Sequence, residues 1–217
     1  AVITTATDSA GRPAIDTLAA KRGCAIADTS RIAPVNMTLA EGGRVTVHDP
    51  ENRLGLAYDA AMEEFFELVD DPRAQVLVTR RDETAPGLVL HPRDLCAGIG
   101  CRRGVSKDEI LRALAGVMRD NGLALAGLAR LASADLKADE AGLLDAAREL
   151  GLPLELFDGP LLDGTPVPNP SERVRDKIGA RSVCEAASLQ AALKLNPAAR
   201  LIVPKTVCGN VSVALAG

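Results

Sequence analysis

Between residues 95 and 157, strand-like and helix-like segments alternate, and this order restricts the chain to a small set of folds. An apolar stretch at 95–101 leads through glycines into a helix that starts near Ser106. Ser106 and Glu109 have the Ser-x-x-Glu spacing of a capping box, in which each side chain satisfies a free backbone donor of the other residue. The same order returns with strands at 128–132 and 153–157 around a helix at 138–150. This alternation implies right-handed crossovers and a mostly parallel sheet.

Weaker signals of the same kind occupy the rest of the chain. Before residue 92, apolar spacing predicts helices at 13–22, 30–41 and 56–69 and strands at 44–47 and 75–79. After residue 157, it predicts a long loop at 158–171 that becomes ordered on ligand binding, helices at 171–178 and 182–193, and a hairpin of 201–204 with 211–215. The predicted fold is therefore α/β, with a C-terminal three-layer domain at 93–217 that contains a mostly parallel mixed sheet. A smaller α/β region at 9–92 precedes it, and the uncapped strand in residues 1–8 is interpreted as the tail of an N-terminal domain.

Composition narrows the class of partner. The 217 residues are 47% hydrophobic but only 2% aromatic, so few platforms exist on which bases could stack. A formal charge of −4 also argues against a basic nucleic-acid surface. No apolar run could cross a bilayer and the first residues lack a secretion signal, so we expect a cytoplasmic protein with small-molecule partners, no nucleic acid and no membrane.

The residue types that bind metals or act as nucleophiles do not form a recognisable site. The five cysteines contain no Cys-x-x-Cys pair and read as small buried residues. The two histidines, His48 and His91, are not spaced with other ligand types, and there is no Gly-x-Ser-x-Gly elbow. We predict no metal site in the protein and no cofactor of its own.

A glycine and arginine loop lies between the strand at 95–101 and the helix that Ser106 caps. Backbone N–H groups and a helix dipole at such a junction favour anions, and two adjacent arginines add to that preference. The third glycine comes one residue too late for a dinucleotide fingerprint. Structural glycines at a tight turn are the alternative interpretation. The candidate binding residues here are Gly98, Gly100, Cys101, Arg102, Arg103 and Gly104.

Polar residues at the next strand-to-helix junction would share that edge of the sheet, where open α/β sheets bind ligands. Ser133 and Asp135 are candidate binding residues, and Lys137 and Glu140 are candidate catalytic residues. The competing interpretation is helix capping, because acidic residues in a first turn complement the helix dipole. Lys137 fits that explanation poorly, since a cation near a helix N-terminus is mildly unfavourable.

Two further candidates lie near the C-terminus. Ser182 and Glu185 repeat the capping-box spacing, which gives Glu185 a structural role to set against a catalytic one. Lys205 follows the predicted strand 201–204 and could reach the same sheet edge to bind substrate, or be a solvated hairpin charge.

Four motifs in this order resemble the CbiG family, whose C-terminal domain also occurs alone as the CobE protein. They lie at 98–104, 132–140 and 179–187 and in the ending around Lys205 and 211–214. The run at 2–8 resembles the end of the family's N-terminal domain, and residues 30–90 match only loosely. The glycine-rich, His-bearing part of that N-terminal domain is absent from this sequence.

The resemblance implies an enzyme of anaerobic cobalamin assembly that opens the δ-lactone of cobalt-precorrin-5A, releases acetaldehyde and gives cobalt-precorrin-5B. The cobalt would belong to the substrate. Glu140 or Glu185 would then be the general base, and Lys137 or the loop N–H groups would stabilise the oxyanion. The alternative is a non-catalytic corrinoid carrier like CobE. Neighbouring pathway enzymes and a second copy of the chain are further candidate partners.

Overall fold

The computed structural model describes residues 11–169 and 182–217 and divides between Arg93 and Asp94 into two compact units. The predicted domain tail at 1–8 and the predicted helix at 171–178 lie outside the described residues. In the part of the chain that is described, no helix combines the length and the apolarity that crossing a membrane requires.

The N-terminal unit is built on a five-stranded sheet in the order β1-β5-β4-β2-β3. The strand β1 pairs antiparallel with β5, and the other neighbours are parallel. Its strands are β1 (Cys24–Ile26), β2 (Val45–His48), β3 (Phe66–Leu68), β4 (Val76–Val78) and β5 (Leu88–Pro92). Its helices are α1 (Ile15–Lys21) and α2 (Ile32–Ala40), with 3-10 turns at Thr29–Arg31, Leu56–Tyr58 and Ala60–Met62.

The predicted helix at 56–69 is wrong: this segment forms two 3-10 turns and the strand β3. Of the four apolar positions that suggested a helix, 57, 61, 65 and 68, only Phe65 is buried. The backbone instead pairs with β2, because Val45 N donates to Phe65 O at 2.9 Å and Val69 N donates to Val47 O at 2.9 Å. Parallel pairing therefore overrides the local helical period. The short strands β1 and β5 were not predicted.

The C-terminal unit contains the second five-stranded sheet, in the order β8-β7-β6-β10-β9. The contacts of β6 with β7 and of β7 with β8 are parallel, whereas β10 pairs antiparallel with both β6 and β9. Its strands are β6 (Leu95–Cys101), β7 (Leu128–Ala134), β8 (Leu154–Phe157), β9 (Leu201–Cys208) and β10 (Val211–Ala216). Its helices are α3 (Lys107–Asp120), α4 (Ala141–Leu150), α5 (Gly159–Asp163) and α6 (Val183–Leu193), with 3-10 turns at Leu125–Gly127 and Asp135–Lys137.

Helices cover both faces of this sheet. Successive side chains of β6 point to opposite faces of the sheet and belong to two hydrophobic cores. Ile99 packs among residues of α3 and α4, and Cys96 packs among residues of α6. At Gly98, an added Cβ would lie 1.8 Å from the carbonyl oxygen of Cys184, so only glycine allows α6 to approach β6 so closely. The predicted α/β fold with a three-layer mixed sheet is confirmed. The sheet is half parallel instead of mostly parallel, because the β9–β10 hairpin adds two antiparallel pairings to the two parallel ones.

Among the differences from the prediction, two concern helices. The helix α4 begins at Ala141 instead of 138, because Asp135–Lys137 forms a 3-10 turn and the backbone of Glu140 is extended. The predicted loop at 158–171 contains the short helix α5, where Asp158 accepts from Leu161 N at 2.8 Å and Leu162 is buried against residues of α6. The proline and glycine content of this segment predicted a loop, but the cap at Asp158 and the burial of Leu162 stabilise a short helix in part of it.

Candidate functional site

A cavity of about 400 Å³ opens at the carboxyl ends of β6 and β7. The ends of these strands, the first turn of α6 and the β9–β10 hairpin surround it. Its lining consists of Gly100, Cys101, Arg102, Ala134, Leu136, Lys137, Val183, Cys184, Lys205, Val207, Gly209, Asn210, Val211 and Ser212. This is the edge at which open α/β sheets bind ligands, and the volume falls in the lower part of the range for small-molecule sites, roughly 300–1,000 Å³.

The charged side chains in this lining all have the same sign. Arg102, Lys137 and Lys205 line the cavity, and no aspartate or glutamate is among the described residues that do so. Burial raises the pKa of the Cys101 and Cys184 thiols, so neither adds negative charge at neutral pH. The cavity therefore favours an anionic ligand, and carboxylates are the anions that such cations bind with charge-assisted hydrogen bonds.

Lys137 is held in place by Glu140. The Lys137 Nζ lies 3.3 Å from one carboxylate oxygen of Glu140, and both residues are buried. The other oxygen accepts from Gly104 N at 2.8 Å. Gly104 has a φ of 77°, a conformation that glycine adopts without strain and that directs its N–H to this carboxylate. Glu140 thus joins the loop after β6 to the turn after β7, and it occupies a loop N–H that was a candidate oxyanion donor.

Glu185 makes more hydrogen bonds than Glu140. One oxygen accepts from Lys205 N at 2.9 Å and Asn169 Nδ2 at 2.8 Å. The other accepts from Ser182 Oγ at 3.1 Å and Asn169 N at 3.2 Å. Burial by itself raises the pKa of Glu185, but the hydrogen bonds from Asn169, Lys205 and Ser182 outweigh it, and the pKa is lowered. The predicted capping box is wrong, because the Ser182 side chain bonds this carboxylate and makes no cap.

The two adjacent arginines have different surroundings. Arg102 lines the cavity. Arg103 pairs with Asp139, with 3.0 Å between Nη1 and Oδ2, and its other terminal nitrogen lies 3.4 Å from Leu136 O. Hydrogen bonding to Arg103 lowers the pKa of Asp139. Only one of the two guanidinium groups therefore faces a ligand in the cavity.

Comparison with known proteins identifies the family. A model described as "Cobalamin synthesis G C-terminus" matches residues 95–216, and a model described as "Cobalamin biosynthesis central region" matches residues 13–92. The chain belongs to the CbiG family. It is thus a protein of cobalamin biosynthesis.

Curated relatives and a solved structure agree with the CbiG assignment. A cobalt-precorrin-5A hydrolase of Priestia megaterium is 30% identical over 152 residues, which are 67% of this chain and 40% of that protein. The CobE protein of a Sinorhizobium species is 34% identical over 125 residues, 57% of this chain and 79% of that protein. A crystal structure of CobE superposes with a TM-score of 0.53 at 38% identity and covers 56% of this chain and 88% of its own. The chain thus spans less than half of the curated hydrolase that it matches.

The structure brings together most, but not all, of the predicted site residues of this CbiG chain. Gly100, Cys101, Arg102, Lys137 and Lys205 line the cavity. Glu140, Glu185 and Gly104 lie behind that lining as described above. Gly98 packs against α6, Ser133 Oγ donates to Ile99 O at 2.7 Å, and Asp135 is exposed, so none of these three lines the cavity.

Sequence reasoning identified Lys205 but missed the rest of the lining that α6 and the hairpin contribute. Cys184 and Ser212 lay in recognised motifs but had no ligand-type spacing with the other candidates. They reach the cavity because β10 pairs directly with β6, an order that no local pattern encodes. In residues 11–169 and 182–217, no group of three or more His, Cys, Asp or Glu side chains could hold a metal ion.

Proposed function

We propose that this chain holds the substrate-binding part of a cobalt-precorrin-5A hydrolase. A molecule of water adds to the carbonyl carbon of the δ-lactone and the acyl C–O bond breaks, which leaves a carboxylate on the macrocycle and an alkoxide on the two-carbon fragment. The alkoxide becomes the carbonyl of acetaldehyde as the C–C bond that joins the fragment to the macrocycle breaks. The electron pair of that bond stays on the macrocycle, which is released as cobalt-precorrin-5B. The relative from Priestia megaterium carries the name of this activity.

The observation that carries the proposal is the charge pattern of the cavity. Corrin precursors carry many acetate and propionate side chains, and the described lining offers three cations and no carboxylate. Arg102 presents a planar fork that matches a carboxylate, whereas Lys137 and Lys205 act as point charges. A neutral or cationic ligand would gain nothing from this arrangement.

Lys137 is the group best placed to stabilise the oxyanion that forms when water attacks the lactone. Its ammonium is already held by Glu140, so little reorganisation is needed as negative charge develops. Glu140 and Glu185 stay candidates for the general base. Their hydrogen bonds to the chain favour a positioning role, in which each carboxylate holds a lysine of the cavity.

The test is an anaerobic titration of the chain with cobalt-precorrin-5A, following both the corrinoid spectrum and the release of acetaldehyde. The hydrolase proposal expects a spectral change together with stoichiometric acetaldehyde. Glu140→Gln and Glu185→Gln separate the two roles through the pH profile of kcat. Loss of the general base removes the fall of kcat at acidic pH, whereas loss of a positioning group lowers kcat or raises KM and leaves that fall in place. Unchanged turnover in both variants would exclude either carboxylate as the base.

A second candidate function is the binding of a corrinoid without turnover. Two observations favour it. The solved CobE chain is covered over 88% of its length by about half of the present chain. The cavity also lies within residues 95–216, the part that the C-terminal family model matches. In that case the titration gives a spectral change with no acetaldehyde. Absence of any corrinoid binding would contradict both candidates.

A further inference from the structure

Two large apolar side chains stand exposed at the cavity. Leu136 has 50% of its surface exposed and Val207 has 66%, and both belong to the lining. Leu136 lies on the 3-10 turn after β7, and Val207 lies on β9. Apolar groups left in water beside a charged cavity indicate a ligand with an apolar surface as well as anionic groups.

An irregularity in β9 directs Val207 to the cavity. In the pairing with β10, Val203 faces Leu215 and Thr206 faces Val213, so three steps along β9 correspond to two along β10. The extra residue in β9 forms a β-bulge. Side chains that follow the bulge therefore lie on the face of the sheet opposite to the one that regular alternation would give them. Without it, Val207 would share the face of the buried Val203. The bulge instead places Val207 beside Ser212.

The floor between these two side chains is made of small residues. Gly100 pairs with Ser212, which in turn pairs with Val207, so the three lie in one row across the sheet. Ser212 Oγ donates to Gly100 O at 3.3 Å, and an added Cβ at Gly100 would lie 2.6 Å from that hydroxyl oxygen. A floor that carries only the short side chain of Ser212 admits a flat ligand.

Resting on the proposed function, we infer that Leu136 and Val207 contact the apolar body of the tetrapyrrole while Arg102 and Lys205 bind its carboxylates. The cavity is small, so the body of the ligand extends over its rim, where these two side chains stand. Both are therefore specificity-determining residues. They select a macrocycle over small polycarboxylates that would satisfy the cations equally well.

The test is calorimetric titration of the chain with cobyrinic acid, a cobalt corrin with free carboxylates. We expect Leu136→Asn to weaken binding about fivefold to tenfold, because apolar surface that the ligand would cover becomes polar. Val207→Thr keeps the β-branched shape and should weaken binding about threefold. The matched control is Leu125→Asn, since Leu125 is 43% exposed and lies on the 3-10 turn at the opposite end of β7, outside the lining.

Wild-type affinity in Leu136→Asn and Val207→Thr would overturn the inference and leave the proposed function standing. So would an equal loss in Leu125→Asn. Sedimentation of the same variants tests a second copy of the chain as the occupant, and a change in oligomeric state with unchanged corrin affinity would also overturn it. Failure of the wild-type chain to bind cobyrinic acid or cobalt-precorrin-5A would remove the proposed function itself.

Discussion

Glu140 and Glu185 each lie behind a lysine of the same cavity, but they hold that lysine by different atoms. At the junction after β7, Glu140 contacts the ammonium of Lys137, so the charge itself is fixed. At the start of α6, Glu185 accepts from the backbone N–H of Lys205, so Glu185 fixes the strand and not the ammonium.

The number of donors differs as well. Glu140 accepts from two donors, one of them Gly104 in an exposed loop, whereas Glu185 accepts from four donors on three separate segments. A buried carboxylate that accepts from many donors chiefly stabilises the fold, and one that pairs with a cavity cation chiefly fixes the position of that charge. We therefore expect substitutions at Glu185 to affect stability most and substitutions around Glu140 to affect chemistry most.

The largest expected effect is the loss of stability in Glu185→Ala. Its removal takes the acceptor from the buried hydroxyl of Ser182 and from the part-buried donors of Asn169 and Lys205. We expect the free energy of unfolding to fall by about 2–4 kcal/mol. For Glu140→Ala we expect about 1–2 kcal/mol, because Lys137 and Gly104 can turn to water in the cavity and the loop. Urea unfolding followed by circular dichroism measures both.

The control for these two variants is Glu149→Ala, which removes an exposed partner of Lys107. Its effect should stay within about 0.5 kcal/mol. Equal losses in Glu185→Ala and Glu140→Ala would show that the number of donors does not distinguish the two sites.

The next effect concerns turnover and rests on the proposed hydrolase activity. Lys137→Met removes a fixed charge at the developing oxyanion, and we expect kcat for acetaldehyde release to fall about 100-fold. Lys205→Met removes a charge that Glu185 does not fix and that only attracts the ligand, so the dissociation constant should rise about tenfold with little change in kcat. Lys107→Met, outside the lining, is the control. A larger kcat loss in Lys205→Met would reverse the assigned roles.

The two Ser-x-x-Glu spacings show what a sequence can and cannot reveal about this fold. At Ser106 the hydroxyl accepts from Glu109 N at 3.3 Å, so the predicted start of α3 is confirmed. At Ser182 the same spacing also precedes a helix, but the hydroxyl makes no capping hydrogen bond, because it donates to the buried carboxylate of Glu185. Local spacing predicts a helix start, but tertiary donors decide what a buried carboxylate binds.

The candidate site was predictable to the same extent. Arg102 and Lys137 follow strands that alternate with helices, and the shared edge of such strands was inferred from their order. Leu136 and Val207 were not identified, since an exposed leucine has no local signature and Val207 reaches the cavity only through a bulge. Both depend on pairing between distant segments, which the spacing of residues along the chain does not specify.

The smallest effect is the response of the two regions to acid. The pKa of Glu185 is lowered from 4.5 in the folded chain, so its stabilisation is complete above about pH 4.5 and is lost as the pH falls through the lower folded value. The difference in unfolding free energy between wild type and Glu185→Gln should therefore be constant from about pH 6 to 8 and shrink below pH 4.5. Asp139 also has a lowered pKa, but its ion pair with Arg103 is exposed. In 0.5 M salt, where the screening length is about 4 Å, the contribution of this ion pair to stability should disappear, whereas the contribution of Glu185 should persist. If salt abolished the Glu185 difference equally, its hydrogen bonds could not be buried ones, and the contrast between the two junctions would fail.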